Sequence, residues 1–161
     1  MTLAPYRQLI DIKRWADHGL CAAVKGNLDR LNEEEAKIMV QIFDHIHAVD
    51  RIFQHHLEGR PHDFKAARSE VPPELDTLMS AMAKLDDWYV TYVDGLTPDA
   101  LEEQIDFVFT SGKAARMSRG QILLHICLHG TYHRGNAGAV LQLKGLQPGR
   151  DAITDFLEDM R

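Results

Sequence analysis

The apolar residues of this chain recur at intervals of three and four in four long stretches, and this period constrains the fold most. Such intervals place side chains on one face of an α-helix, whereas strands alternate with a period of two. The stretches cover residues 5–28, 32–57, 72–96 and 118–145. Four amphipathic helices of this length predict an all-α four-helix bundle.

The period also predicts which side chains of the second and fourth helices face inward. The predicted inward face of the second helix consists of Ile38, Ile42, His45, Val49, Ile52 and His56. The predicted inward face of the fourth consists of Ile122, Ile126, His129, His133, Asn136, Val140 and Leu143. Both faces therefore combine apolar side chains with histidines, which is unusual for a helical core.

Start and stop signals support these helix limits. Asn32 and Ser118 are favourable N-caps, and Glu35 and Gln121 follow each of them at the position that completes a capping box. Gly145 provides a stop for the last long helix. Residues 58–71 lack a helical period and form the longest connection, directly after the second helix.

The remaining segments are short. Residues 103–109 alternate in polarity, and Ser111-Gly112 is typical of a turn, so a small hairpin with a second arm at 113–117, or an irregular segment, is expected before the last long helix. Residues 97–99 predict one turn of helix, and 151–160 a short C-terminal helix. We expect one domain over residues 1–161, with its long helices in an up-down-down-up order.

Composition excludes several partners. The net charge is −6 with scattered basic residues, which disfavours a nucleic-acid partner. No apolar run approaches the ~18–20 residues of a membrane span, and charge appears within seven residues of the start, so we expect no membrane partner and a cytoplasmic location. Cys21 and Cys127 form no CxxC pair, which fits a reducing compartment and gives no thiolate zinc site.

The chain has nine histidines, and three are predicted to meet. His129 and His133 are four residues apart, so their rings stack on one helix face. His45 lies on the predicted inward face of another helix. His125 is about 12 Å from His133 along the axis, too far for both to bind one ion through bonds of about 2.0–2.1 Å. The pattern predicts a metal site at His45, His129 and His133; the alternative is hydrogen-bonded core histidines.

The other histidines are expected outside this site. His47 is rotated about 200° from His45 and should face solvent. His55, His56 and His62 are predicted at the solvated surface near the end of the second helix. His18 lies beside the inward face of the first helix and is a weaker candidate for an outer role at the site.

Three further residues have predicted packing roles. Asp50 is expected to form an ion pair with Arg51 or with Arg134 of the fourth helix; the alternative is that Asp50 or Arg134, or the neighbouring Asp44 or Tyr132, orients a metal-binding imidazole or a substrate. Gly135 and Gly138 are expected where a neighbouring backbone comes close, because glycine has no Cβ.

Three segments resemble the DinB-like family of metal-binding four-helix bundles. They are IKRWADHGL, IFDHIHAVDRIF and LLHICLHGTYHRGNAGAVLQLKG, and HGTYHRGN, the most specific, matches the family's HxxxHRG signature. The likeness covers nearly the whole chain. It implies that His45, His129 and His133 correspond to the family's three metal histidines and hold one divalent transition metal ion per chain, zinc or nickel.

The resemblance also implies a range of functions. The family's members are metal-dependent enzymes or proteins of unknown activity, and they are often homodimers. Characterised relatives include S-transferases that use bacterial low-molecular-weight thiols, and a thiol-dependent isomerase. Three neutral imidazoles leave a coordination position open, as in catalytic zinc sites. We expect a small thiol, or another small substrate with water as nucleophile, as the partner. The alternatives are a metal-dependent hydrolase and a non-catalytic metal-binding protein, and no catalytic residue is assigned.

Overall fold

The computed structural model describes residues 2–161, and this part of the chain is mostly helical. Its five α-helices and two strands, in chain order, are α1 (Ala4–Lys25), α2 (Glu33–Leu57), α3 (Leu75–Asp94), β1 (Gln104–Val108), β2 (Ala114–Ser118), α4 (Arg119–Leu143) and α5 (Ile153–Asp159). The predicted helical character is therefore confirmed. Each of α1 and α2 packs against both α3 and α4. The up-down-down-up order of the helices stays a prediction.

Both predicted capping boxes are present. The Asn32 side chain accepts a hydrogen bond from the backbone N–H of Glu35, and the Glu35 carboxylate accepts one from the N–H of Asn32, both at 2.8 Å. Ser118 and Gln121 make the same reciprocal pair at the start of α4. These bonds satisfy N–H groups that a helix start leaves without partners.

The first helix ends at Lys25, three residues before the predicted limit. The Asn27 side chain donates to the carbonyl of Ala23 at 2.8 Å, and Leu28–Arg30 form a separate 3₁₀ turn. Gly26 weakens the helix here, and an asparagine side chain competes for the backbone carbonyls that would continue it.

The segment before α4 is the hairpin, not the irregular alternative. Strands β1 and β2 are antiparallel, with Gln104 opposite Ser118 and Val108 opposite Ala114. Gly112 turns the chain with φ +84°, a conformation that glycine adopts without a steric penalty. The buried ring of Phe107 attaches the hairpin to Phe53 of α2, with the ring centroids 5.6 Å apart.

The apolar core has two parts. One surrounds Phe53, Tyr89 and Ile126 at the hairpin end, and the other surrounds Phe43 and Leu141. Between these parts lie five buried charged residues that we call the charged layer: Lys13, Asp17, Asp50, Asp86 and Arg134. All four long helices contribute to it.

Lys13 is the centre of the charged layer. Its side chain is only 2% exposed, and its Nζ lies 2.8 Å from Asp17, 2.8 Å from Asp50 and 2.6 Å from Asp86. Arg134 donates to Asp17 at 2.9 Å. Arg134 also forms a two-bond pair, at 2.6 and 3.0 Å, with the carboxylate of Asp151, which lies just before α5.

The predicted ion pairs of Asp50 are wrong. Asp50 pairs with Lys13, while Arg51 donates to Gln54 at 2.6 Å and Arg134 binds other carboxylates. Lys13 and Asp17 are four residues apart on α1, a spacing that usually indicates an exposed ion pair. The sequence pattern therefore gave no sign that this pair is buried.

The predicted inward faces of α2 and α4 are rotated from the observed ones. On α2, Ile38 is exposed, whereas Met39 and Phe43 are fully buried. On α4, Asn136 and Leu143 are exposed, and the buried side includes Gly130, Ala137 and Leu141. The cause is the charged layer: Asp50 and Arg134 lie on the true inner faces, and a polarity pattern assigns such residues to solvent.

Of the two α4 glycines expected at close approaches, only Gly138 lies at one. A Cβ built at Gly138 meets the Pro148 side chain at 3.2 Å. A Cβ built at Gly135 meets nothing within 4 Å, so the expectation that it packs closely within the chain is wrong.

Candidate metal centre

His45 of α2 meets His129 and His133 of α4 at the contact between the two helices. The ring centroids are 4.9 Å apart for His45 and His129, 4.4 Å for His45 and His133, and 4.4 Å for the two α4 histidines. One nitrogen from each ring lies within 4.8 Å of the other two. Among residues 2–161, no other group of three histidine, cysteine or acidic side chains converges in this way.

A backbone carbonyl fixes the orientation and tautomer of His45. Its Nδ1 lies 2.6 Å from the carbonyl oxygen of Ala67, on the connection between α2 and α3. A carbonyl only accepts, so Nδ1 carries the hydrogen and the Nε2 lone pair is left free. That arrangement is typical of metal-binding imidazoles, whose second nitrogen donates to a carbonyl or carboxylate.

The free Nε2 of His45 faces Nε2 of His129 at 3.0 Å. Such an approach requires either a hydrogen on the His129 nitrogen or a cation between the two nitrogens. Two imidazole nitrogens on one tetrahedral ion, at bonds of about 2.0–2.1 Å, would be about 3.4 Å apart. The observed distance is shorter and is that of an N–H···N hydrogen bond, while the convergence of one nitrogen from each of the three rings is what a shared metal ion requires.

The α4 histidines favour the neutral, metal-binding state. Burial, together with the neighbouring His133 and His45, lowers the pKa of His129 to about 3. Burial and His45 also lower the pKa of His133. Nδ1 of His129 is buried and has no hydrogen-bond partner among the described residues. Nδ1 therefore has no protein acceptor that would stabilise a proton on it.

Other side chains border the centre without joining it. Asp44 is buried, and its Oδ2 accepts a hydrogen bond of 2.8 Å from the backbone N–H of Ser69, which anchors the connection that carries Ala67. Tyr132 is mostly exposed and meets the His133 ring edge-on, with the centroids 5.0 Å apart. The converging donors are thus three imidazoles, whereas closed structural zinc sites have four protein ligands.

The predicted exclusion of His125 from the triad fits the geometry. Its ring stacks on His129 with the centroids 5.6 Å apart and also contacts Phe53. The prediction that His47 faces solvent is wrong, because the rotation of α2 half-buries it and this burial lowers its pKa. His18 is exposed.

The prediction that His55, His56 and His62 are solvated is also wrong. All three are half-buried, and His56 stacks on Phe107 with the ring centroids 4.5 Å apart. His62 lies on the connection after α2, and its ring centroid is 5.1 Å from that of His56. Burial lowers the pKa of His56 to about 4. A helical period could not predict this cluster, because His62 lies on a non-helical connection and Phe107, on which His56 stacks, lies in the hairpin.

A cleft of about 1100 Å³ lies between α2 and the connection that follows it. It reaches the three-histidine centre at His45 and borders neither of the α4 histidines. Both basic and acidic side chains line the cleft. The basic ones are Arg51, Lys65 and Arg68, and the acidic ones are Asp44, Asp63 and Glu70.

Comparisons with known proteins place the chain in a family. Within residues 2–161, no helix has both the length and the apolar character required to cross a membrane. A search of curated proteins finds no match. The sequence model of the DinB family matches residues 18–160, a stretch that contains all three converging histidines. The chain therefore belongs to the DinB family.

Proposed function

We propose that this protein binds one divalent transition metal ion through His45, His129 and His133, and that it is a metal-dependent enzyme acting with a small thiol. The observation that carries the metal site is the convergence of one nitrogen from each of the three rings to within 4.8 Å of the other two, with the His45 ring oriented by the Ala67 carbonyl. Imidazole suits zinc and nickel, which are the ions we infer.

An open position on a three-histidine ion supports catalysis. When bound, such an ion favours the deprotonated form of a thiol or of water. The chain's own cysteines are unsuited to act as the nucleophile, because burial raises the pKa of both Cys21 and Cys127 to about 12. A thiol nucleophile would therefore come from outside the chain.

The cleft beside His45 supports a small, polar partner. Its volume of about 1100 Å³ is enough for a thiol of low molecular weight together with a second small molecule. Arg51, Lys65 and Arg68 would bind carboxylates, while Asp63 and Glu70 would bind an ammonium group. We infer that these side chains bind and orient a charged small molecule beside His45.

Cobalt substitution tests the proposal. Protein purified without a histidine tag is loaded with Co²⁺ and titrated with cysteine or 2-mercaptoethanol; we expect about one ion per chain and a sulfur-to-cobalt charge-transfer band. His129→Ala should abolish the band, and His18→Ala, which changes an exposed histidine, should leave it intact.

Two results would change the assignment. Metal binding with no response to any thiol, but with turnover of ester or amide substrates, would favour the hydrolase. Metal binding without any response to added ligands would refute the catalytic proposal and leave a non-catalytic metal-binding protein. Absence of metal binding would refute the site itself.

A further inference from the structure

One arginine beside the cleft lacks the carboxylate partner that comparable arginines have. Five arginines of the described residues are buried or half-buried: Arg7, Arg14, Arg51, Arg119 and Arg134. The other four each form an ion pair with an aspartate or glutamate, at 2.6 to 3.1 Å. Arg51 forms none with any described residue. A guanidinium that is partly removed from water favours an anionic partner, and this one has none within the described chain.

Two neutral neighbours hold the Arg51 side chain in place. Its Nη1 donates to Oε1 of the buried Gln54 at 2.6 Å, and its Nη2 lies 3.5 Å from Nε2 of His55. The His55 ring is itself oriented by the Pro61 carbonyl, which lies 2.7 Å from Nδ1. A carbonyl only accepts, so Nδ1 carries the hydrogen and Nε2 of the neutral ring accepts. The guanidinium is therefore fixed while its charge stays uncompensated.

The remaining donors of Arg51 lie beside the cleft. Arg51 and His55 line this space of about 1100 Å³, which also reaches His45. A guanidinium has five N–H donors in a planar fork, and most of those of Arg51 have no partner among the described residues. Such a fork matches the two oxygens of a carboxylate or the oxygens of a phosphate. The cleft wall therefore presents a preorganised site for an anionic group.

The acidic side chains of the cleft do not occupy this site. The buried Asp44 accepts a hydrogen bond from the Ser69 N–H at 2.8 Å. Asp63 and Glu70 are exposed on the connection. The only hydrogen-bond partners of Arg51 among the described residues are the two neutral side chains of α2. An acid group from a bound molecule therefore has no competitor at the guanidinium.

The position of Arg51 sets the distance between the two ends of a bound molecule. His45 and Arg51 are six residues apart on α2, which is about 9 Å along the helix axis. The guanidinium contacts Gln54 and His55, which lie further from His45 along the helix, so the side chain does not shorten this distance. In cysteine the sulfur and the carboxylate are only about 4 Å apart. A thiol that reaches both the histidine centre and Arg51 must be several bonds longer.

We propose that Arg51 binds an acid group of the substrate thiol, a carboxylate or a phosphate carried about 9 Å or more from the sulfur. This inference rests on the proposed thiol function and narrows it to thiols that are acidic and longer than cysteine. Arg51 touches the molecule away from the reacting sulfur, so it determines affinity and the selection among thiols. Lys65 and Arg68 are exposed and contribute only a screened attraction.

A blocked thiol tests the anion site without the metal. The γ-glutamyl carboxylate of glutathione is about eight bonds from the sulfur, enough to span about 9 Å. S-methylglutathione has no free thiol, and isothermal titration measures its binding to the metal-free protein. Arg51→Gln should weaken this binding at least tenfold, and esterification of both carboxylates should do the same. Arg51→Lys, which keeps the charge and loses the planar fork, should fall between wild type and Arg51→Gln.

The matched control is Arg30→Gln, an exposed arginine outside the cleft, which should bind S-methylglutathione as wild type does. Circular dichroism should show unchanged helix content in all variants. Absence of binding up to ~10 mM, or equal binding by wild type and Arg51→Gln, would overturn the proposal. An equal loss in Arg30→Gln would also overturn it, because the effect would then be one of net charge.

The cobalt-loaded protein separates this proposal from the proposed function. Glutathione should produce the sulfur-to-cobalt band at an at least tenfold lower concentration than its diethyl ester, and Arg51→Gln should remove that difference. The response to 2-mercaptoethanol, which has no acid group, should be the same in wild type and Arg51→Gln. Bands that appear equally with the acid and the ester would overturn the role of Arg51 and leave the thiol function intact. Binding of S-methylglutathione that depends on Arg51, without a band from any thiol, would overturn the thiol function, and the bound molecule would then not be a thiol.

Discussion

The charged layer and the three-histidine centre are both polar clusters within an apolar helical core, but they satisfy their polar groups differently. In the layer, Lys13 and Arg134 meet carboxylates at 2.6 to 2.9 Å, so the opposite charges are supplied by the chain itself. At the centre, imidazole nitrogens face one another and no carboxylate is present among the converging side chains. Burial of polar groups demands partners: in the layer, single oxygens of Asp50 and Asp86 lack one but both carboxylates pair with Lys13, whereas the histidine centre has no charged partner within the chain.

Of the changes considered, removing Lys13 from the charged layer should have the largest effect. Lys13→Met would leave three buried carboxylates without their shared cation, and we expect a loss of about 3–5 kcal/mol in the free energy of unfolding. Urea denaturation measures it. The matched control is Lys25→Met, whose ion pair with Asp76 is 64% and 73% exposed and should contribute little. Equal losses in the two variants would show that the layer is not a structural element of the fold.

Removing a donor from the histidine centre should affect binding and spare the fold. His45→Ala, His129→Ala and His133→Ala should each reduce metal affinity by more than ~100-fold, since even an outer-shell partner contributes about 10–100-fold. The metal-free variants should unfold at nearly the wild-type urea concentration, in contrast to Lys13→Met. Isothermal titration with Zn²⁺ and Ni²⁺ measures the affinity, with His47→Ala as the control. A larger loss in His47→Ala than in His45→Ala would contradict the site.

Lowering the pH of the metal-free protein should raise its stability through Asp86 of the charged layer and lower it through His129 of the histidine centre. Burial raises the pKa of Asp86 to about 7, whereas its value in the unfolded chain is near 3.8. Between these two pH values the folded chain binds a proton that the unfolded chain does not. This contribution to stability is therefore lost as the pH rises. The pKa of His129 is about 3, below its unfolded value near 6.5. Between those values the unfolded chain binds the extra proton, so this contribution is lost as the pH falls.

Variants separate these two contributions. Lowering the pH from 7 to 5 should cost Asp86→Asn more stability than wild type, because the variant lacks the compensating carboxyl group. The same change should cost His129→Gln less than wild type. Urea denaturation at the two pH values is the measurement. Identical pH dependence in all three proteins would show that neither group retains its perturbed pKa.

The smallest effect is expected from the residue that holds the connection against the centre. Asp44→Ala would remove the acceptor for the Ser69 N–H and loosen the backbone that presents the Ala67 carbonyl to His45. We expect metal affinity to fall about tenfold, as for other outer-shell partners. Asp63→Ala, in the same connection, is the control. A loss as large as that of His45→Ala would instead identify Asp44 as a ligand.

The identity of the converging histidines could be predicted because His129 and His133 are one turn apart on a single helix, and the family resemblance indicated the same three residues. The phase of α2 and α4 could not be predicted, because buried Asp50 and Arg134 look like solvent-facing residues in a polarity pattern. The hydrogen bond from His45 to Ala67 could not be predicted from the sequence for a different reason. The backbone carbonyl of Ala67 makes the contact, and every residue type has one.

The charged layer also bears on how quickly the protein unfolds. Lys13 and Asp86 are 73 residues apart in the chain, and Asp17 and Arg134 are 117 apart. Such pairs form only after distant helices have assembled, so they contribute late in folding and are absent from early, locally structured states. Interactions that are missing from the folding transition state slow unfolding without accelerating folding. The charged layer is therefore expected to lengthen the lifetime of the native state even in the metal-free protein.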